Sequence, residues 1–588
     1  MRHLVSILIT LFLLINCNLI NAQSLTWNRP IMAGRECFSV DLDSSNNIYS
    51  LSEFRYDYPN TNFFDTIPVQ PTIEEGSRGL FVTRTDTNYN LQWMKLLETS
   101  WGFNSPQMKI SPQQKVLIAS KVWDRIKVDS IDISFPIHEE APFVIVQLDS
   151  SGHLDWMNLI QNKSYFQDME DIAFDSKNNT YFTGTIVSDI TFGNLNSIGE
   201  FLPDTIIVPP INTTPSFIAK YAPDGKFISA AIIPIIHYQG GAFLMCQSMI
   251  IDNDDNIYIT GWFEGIIQYN NVEIKANGVE IFILKFNKEM ELVWSKHFGP
   301  GSSTIIQQGN SLAFDKSKKN FYITGNFIGS KDFGNGLVEA NDKNIFLAKY
   351  TTDGDLKWIK TSGSSSGAAS YTEEGQKVFV DNEDFVYLAG EFYNTLHIGD
   401  TSLNVYIDPN VSNDYSDFFI AKYLANGKFS WATHAGSNYS DKLGSITKDK
   451  NNHVCVCGLT YRGARFGEYT MATNAGTLGF LASFNDRSET NQYGPSYGIE
   501  EQKNDSDMIK IFPNPIINNL EVEIQNTNHS DISIQIIDLQ GRTIFNTYEK
   551  SGNNIQKFSY QFNKKPSGIY CLIITIGNDI YTYKTIKV

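Results

Sequence analysis

Asp315-Lys316-Ser317-Lys318-Lys319-Asn320-Phe321-Tyr322-Ile323-Thr324-Gly325-Asn326-Phe327 decides the fold, together with the later stretch Asn344-Ile345-Phe346-Leu347-Ala348-Lys349-Tyr350-Thr351-Thr352-Asp353-Gly354-Asp355-Leu356-Lys357-Trp358. The first stretch reads as a polar turn followed by an alternating strand. The second reads as two strands around an Asp-Gly turn, a hairpin signal. Variants of the pair recur along most of the chain, which predicts an array of one β unit.

Six further turns of the first kind are legible. They begin at Asp43 and, in degenerate form, at Ser111. The rest begin at Asp175, Asp252, Asp381 and Asp449, and the starts from Asp252 onward are spaced by 63, 66 and 68 residues. A period this long, with several strands per repeat, points to propeller blades rather than to a solenoid of short coils. The hairpin strands, such as Ile281-Phe282-Ile283-Leu284-Lys285-Phe286, are apolar runs suited to burial on both faces.

Outer strands carry Trp93, Trp156, Phe227, Trp294, Trp358 and Trp431 at equivalent places. The seventh unit ends at Gly479-Phe480-Leu481-Ala482-Ser483-Phe484 with no Trp after it, while Ser24-Leu25-Thr26-Trp27 is an outer strand with no unit before it. The expected solution is that residues 25–29 complete the seventh blade, closing the ring and removing the exposed edges that invite aggregation. The expected fold is therefore all-β: a seven-bladed β-propeller closed by an N-terminal strand, followed by a small C-terminal antiparallel β-sandwich. Its parts are a signal peptide (1–22), the propeller (23–486), a polar linker (487–507) and the sandwich (508–588).

Composition agrees. At 588 residues more than one domain is expected, and 28 Tyr, 39 Phe and 41 Gly suit β structure. A formal charge of −18 disfavours nucleic acid and anionic lipid as partners. Arg2 and His3 followed by the apolar run 4–15 and Asn21-Ala22 read as a secretory signal, too short to span a bilayer. Leu14-Ile15-Asn16-Cys17 approaches a lipidation box, but Asn16 stands where a small residue is needed. No later run is long enough for a transmembrane segment. Cys37, Cys246, Cys455, Cys457 and Cys571 are odd in number and read as buried small hydrophobes rather than a disulfide framework or a zinc site.

The repeat, with its Asp/Asn turn, Tyr-x-Thr-Gly, Phe-x-x-Lys-Tyr, Gly and Trp, resembles the bacterial SBBP-type β-propeller repeat over about residues 24–486. That family is defined by architecture, and the resemblance implies no activity. The last eighty or so residues are similar to the C-terminal sorting domain (type A) of the type IX secretion system. The matching residues are Phe512-Pro513-Asn514-Pro515, Asp538-Leu539-Gln540-Gly541-Arg542, Pro566-Ser567-Gly568-Ile569-Tyr570, and the closing run from Tyr583 through Lys587 to Val588. This resemblance implies passage through the periplasm and the outer-membrane translocon, and release or attachment at the cell surface.

Catalytic signatures are missing from the sequence. The nine histidines show no helical metal spacing, and neither a nucleophile elbow nor a phosphate loop occurs. Asp252, Asp254 and Asn256 offer oxygens at alternate positions that could hold calcium, although the turn lacks the Gly and distal Glu of an EF-hand loop; hairpin turns with Asx bonding are the competing reading. The expected function is an exported, non-catalytic module binding a glycan or protein through variable loops, with the insertion Phe201 to Pro215 as the segment to watch. The alternative is a secreted glycan-active hydrolase or lyase with its site in the propeller channel.

Overall fold

The computed structural model describes residues 25–486 and 509–587, apart from 57–62, 73–77, 136–140, 163–167, 196–199, 239–240, 303–306, 364–372, 407–414, 472–475, 513–518, 526–530, 539–542, 551–554, 563–564, 566–567 and 577–578. The expected signal segment, the linker, Pro513-Asn514-Pro515 and the turn at 539–542 lie outside these residues. The chain divides into two compact units, Met1–Ser488 and Glu489–Val588. Among the described residues every helical or extended element is a strand.

The first unit contains seven antiparallel sheets, each built on four strands laid side by side. The stretch that opened the sequence forms the fifth: Gln308–Phe314, Asn320–Asp332, Leu337–Thr351 and Leu356–Ser362. The degenerate second copy forms a sheet as well, from Phe103–Ile110, Val116–Val122, Phe143–Leu148 and Leu154–Asn162. First strands of successive sheets pack on one another. Glu36–Leu42 meets Phe103–Ile110, then Met169–Phe174, Phe243–Ile251, Gln308–Phe314, Glu374–Val380 and Lys442–Lys448 follow, and the last packs back on the first. The seventh sheet takes its outer strand from the other end of the chain: Thr26 lies opposite Asn485 and Trp27 opposite Phe484. Ile31–Met32 continues along the same partner strand, opposite Leu481 and Phe480.

Burial explains the apolar runs. Third strands such as Val279–Phe286 and Ser416–Tyr423 are buried at every residue because sheets cover both faces, whereas outer strands such as Leu356–Ser362 are half exposed. Two sheets each carry an added hairpin beyond the expected four strands. The hairpin Ile190–Leu195/Phe201–Ile207 lies along the outer strand of the second sheet, with Thr191 opposite Gln161, and Arg125–Val128/Ile131–Ser134 lies likewise on the first, with Lys127 opposite Glu98. The first half of the expected 201–215 insertion is thus a strand, consistent with the β-forming run Thr205-Ile206-Ile207.

All seven turns between first and second strands share a left-handed residue, although the fifth is one residue longer than the rest. Their fourth residues, Asn46, Gln114, Asn178, Asp255, Lys318, Asp384 and Asn452, have φ from 54° to 67°. This is the turn of a hairpin with a left-handed residue after two helical ones. The turns between third and fourth strands repeat it, and there the left-handed residue is often glycine for a second reason. A Cβ on Gly225 (φ +83°) would lie 2.5 Å from the Trp156 ring, and one on Gly152 (φ +84°) 2.8 Å from Trp93, each Trp belonging to the preceding sheet. Where the preceding outer strand carries Phe227 instead of Trp, the left-handed residue is Met290. Gly225→Ala combines backbone strain with overpacking, and we expect a loss of about 1–3 kcal/mol in denaturant unfolding; an unchanged midpoint would contradict this packing.

The second unit has two antiparallel sheets. One orders Ile509–Phe512, Asn519–Gln525 and Ile555–Gln561; the other orders Thr543–Glu549, Ile532–Asp538, Gly568–Ile576 and Asp579–Lys587. Leu520, Val522 and Phe558 from one sheet share a core with Ile534, Leu572 and Ile574 from the other.

Candidate functional site

The turn end of the sheets is occupied by its own hydrogen bonds. Asp252 Oδ1 accepts from the Asp254 and Asn256 amides (both 2.9 Å), and Oδ2 accepts from Asn256 Nδ2 (2.9 Å) and the Tyr258 hydroxyl (3.0 Å). Asp43 and Asp175 repeat this set. A cation site presents oxygens to the ion, whereas here the Asp252 carboxylate faces N–H and O–H donors and Asn256 turns its amide nitrogen inward. The geometry is that of an Asx turn anchoring the strand that follows. Among the described residues no group of three or more His, Cys, Asp or Glu could hold a metal ion.

The seventh turn replaces that Asn with His453, whose Nδ1 lies 2.8 Å from Asp449 Oδ2. The hydrogen bond to Asp449 raises the His453 pKa. A raised histidine pKa contributes stability that is full below the ordinary value of about 6.5 and is lost as pH rises through the folded value. His453→Asn restores the residue found at Asn47, Asn179 and Asn256. We expect its melting temperature relative to the wild type to climb as pH rises above about 6.5; parallel pH profiles would contradict the assignment.

Third-strand cations and outer-strand indoles tie the first, fourth and fifth sheets to those that follow. The Thr352 carbonyl of the fifth sheet accepts from Lys285 Nζ (3.0 Å), Tyr258 (3.3 Å) and Trp294 Nε1 (3.3 Å) of the fourth. Ala425 accepts from Lys349 and Trp358, and Ser150 from Arg84 and Trp93. At the seam no such turn exists, because the seventh outer strand comes from Thr26–Trp27. The side chain of Asp486 replaces the carbonyl: Lys422 Nζ at 2.7 Å, Lys448 Nζ at 3.3 Å, Trp431 Nε1 at 3.3 Å and the Tyr387 hydroxyl all converge on it. Lys422 and Asp486 are fully buried.

The opposite end, formed by connections from second to third strands and from one sheet to the next, is different. At its base lie buried acids that sequence reading missed. His297 Nδ1 is 2.6 Å from Glu280 Oε2 in the fourth sheet, and His434 Nε2 is 3.8 Å from Asp417 Oδ2 in the sixth. A shared Trp-x-x-His, at Trp294–His297 and Trp431–His434, was the available signal. Burial pushes Asp417 up to about 9 against the Tyr406 amide, and lowers His434 to about 4. Burial likewise pushes Asp441 up to about 7, against hydrogen bonds from Thr460 and Ser437. Neither carboxylate reaches solvent. Asp441 holds Ser437 of the 436–441 connection to Thr460 beneath it, and Asp417 holds the Tyr406 amide.

On the first strands a bulge recurs, as at Met169/Asp171, Cys246/Ser248, Gly309/Ser311 and Gly375/Lys377. Lys109 Nζ lies 2.7 Å from Asp171, which also accepts from Ser248 Oγ (3.0 Å) and the Met249 amide (2.8 Å) of the next sheet. Burial beside Asp168 and Asp171 pushes Glu170 up to about 8.

Exposed large apolar side chains occur on outer strands, as at Ile228 and Val293, and on the connections. Trp101 is 57% exposed and Ile211 87%, and Leu202, Ile206, Val208 and Tyr439 are also exposed. The insertion watched from sequence thus carries four of these six.

In the second unit, Phe512 ends the strand Ile509–Phe512, and Pro513, Asn514, Pro515 and Gly541 lie outside the described residues. Gly568 pairs with Lys587 at the mouth of the last hairpin, and Tyr570 is buried against Phe562 (4.9 Å between rings). Residues 510–588 match the family model of the secretion system C-terminal sorting domain. The chain therefore ends in a sorting domain. A sorting domain of this kind engages the type IX secretion machinery, so the protein is exported to the cell surface or beyond it. No helix among the described residues is long and apolar enough to cross a membrane.

The sheets that precede the sorting domain have more distant relatives. Over 371 residues the chain is 24% identical to an uncharacterized WD repeat-containing protein of Acanthamoeba polyphaga mimivirus, spanning 53% of this chain but only 26% of that protein. Among solved structures, a protein from Lactobacillus plantarum aligns with a TM-score of 0.32 and 9% identity, over 83% of this chain and 96% of that one. A glycoside hydrolase family 32 structure from Bifidobacterium adolescentis aligns at 0.22 and 8%, over 95% of each chain. At those scores neither structure bears on the fold or chemistry of this chain.

Proposed function

We propose that the protein is an exported binding module: a closed seven-bladed β-propeller of the SBBP repeat type (residues 23–486), joined by a linker (487–507) to its sorting domain (508–588). The cyclic packing of seven first strands and the pairing of Thr26–Trp27 with the seventh sheet support the closed ring. One observation carries the binding role. The repeated residues are consumed by scaffold contacts at the turn end, while Trp101, Leu202, Ile206, Val208, Ile211 and Tyr439 are left exposed on the connections. Exposed aromatic and aliphatic side chains on loops set by a rigid scaffold are the usual material of a recognition surface. Its ligand is an extracellular glycan or protein.

A glycan array probed with the mature chain tests this. The expected result is binding that weakens at least roughly tenfold in a Trp101→Ala, Ile206→Asp double variant, the size of loss typical of a hot-spot residue. Binding unaffected by the double variant would contradict the placement, and turnover of a glycan would favour a hydrolase instead. An array without binders directs the same variants to protein partners.

A further inference from the structure

Cys37 and Cys457 stand about 420 residues apart in the chain and meet where the first and seventh sheets join. Cys37 lies on Glu36–Leu42 and Cys457 on His453–Tyr461, strands that pack together. The Cys37 side chain acts on the Cys457 thiol, and both residues are free cysteines and 0% exposed. The backbones are close here as well. A Cβ on Gly444 would lie 2.4 Å from the Cys37 carbonyl oxygen, and its neighbour Ser445 pairs with Cys457. Ile31, Ala33, Val40 and Leu481 seal the pair in an apolar cluster. The other buried thiols have different surroundings: Cys246 meets the Ser216 and Thr183 hydroxyls, and Cys455 the His453 carbonyl.

We propose that Cys37 and Cys457 form a disulfide in the exported protein, a covalent staple across the seam that Thr26–Trp27 and Asp486 hold noncovalently. Export by the type IX route passes through the periplasm, where disulfides form and persist. The co-reactant is a disulfide-bearing thiol oxidase. One cysteine thiolate attacks its disulfide to give a mixed disulfide, and the second thiolate then displaces the oxidase sulfur. The two protein thiols lose two protons and two electrons, and the oxidase disulfide becomes two thiols. Burial holds the Cys457 thiol well above its ordinary pKa and away from solvent, so the exchange belongs to the open seam, before the first and seventh sheets pack. Once formed, the bond is shielded from reductants, and it closes a loop long enough for the greatest restriction of the unfolded chain.

The test uses the full mature chain recovered from the medium or surface of a type IX-competent host, alkylated in denaturant and digested without reductant. Mass spectrometry should find the Cys37 and Cys457 peptides joined and lighter by two hydrogens, with Cys246 and Cys455 alkylated. Alkylation of both Cys37 and Cys457, or a Cys37–Cys455 link, would overturn the proposal. A kinetic measurement supports the mapping if Cys37→Ala fails to fold well enough for comparison: wild type reduced in denaturant and refolded should unfold roughly tenfold or more faster than the oxidised form. Equal unfolding rates of the two forms would overturn the staple.

Discussion

Asp486→Ala is expected to lower the stability of the first unit by about 3–5 kcal/mol, the range for removing one partner of a buried ion pair. The substitution strands Lys422, which is fully buried, and strips Trp431 and Tyr387 of an acceptor, while Lys448 keeps Asp381 at 2.6 Å. All nine tryptophans precede Gly436, so fluorescence in a guanidinium titration reports on this unit alone. A loss below about 1 kcal/mol, the size typical of an exposed pair, would contradict the seam contact. The same carboxylate sets an acid limit. Burial alone would raise its pKa, but the charge and hydrogen bond of Lys422, with Tyr387 and Lys448, hold it below the ordinary carboxylate value. A lowered pKa contributes stability that is present above the unfolded value of about 3.9 and is lost as pH falls through the folded value. The wild type should therefore lose its advantage over Asp486→Asn only at pH below about 4.

The second large effect is expected from Trp27→Ala. Trp27 is 3% exposed and packs on Phe484 (4.7 Å between rings) and Phe466 (5.4 Å), with Gly467 against its edge. Truncating a buried Trp costs about 3–5 kcal/mol. Here it also weakens the only outer strand supplied from across the chain, exposing the edge of Thr477–Asn485 to pairing with other molecules. We expect a lower guanidinium midpoint together with light-scattering aggregates on warming. A variant as stable and as monodisperse as the wild type would contradict the closure.

These two residues differ in how legible they were. Trp27 could be read from sequence because each sheet needs one outer aromatic, and counting left one Trp with no sheet and one sheet with no Trp. The turn residues were legible for a similar reason: a left-handed position and a neighbouring indole admit few side chains, so Gly225 and Gly152 repeat. Even the degenerate copy at Ser111 folds as its relatives do, since Gln114 takes the same left-handed conformation and the Lys115 amide finds Ser111 Oγ at 3.1 Å. Asp486 was not legible. It heads a polar segment and gains its role only because the seventh outer strand is Thr26–Trp27 from the far end of the chain, so that a side chain takes the place of the carbonyl that serves elsewhere. The Cys37–Cys457 contact and the Glu280–His297 and Asp417–His434 pairs depend in the same way on strands brought together by the sheets, which a local pattern does not encode. Asp252 shows the reverse. Its oxygen-rich turn left a cation open beside the Asx turn, and the turn's own amides bond the carboxylate.

Amide hydrogen exchange at the seam tests the closed ring most directly. The Asn28 amide donates to the Ser483 carbonyl at 2.7 Å, so residues 26–28 should exchange only with global unfolding, as slowly as the buried run 345–348 of the fifth sheet. Exchange of residues 26–28 at the rate of an unstructured peptide, while residues 345–348 stay protected, would contradict the account.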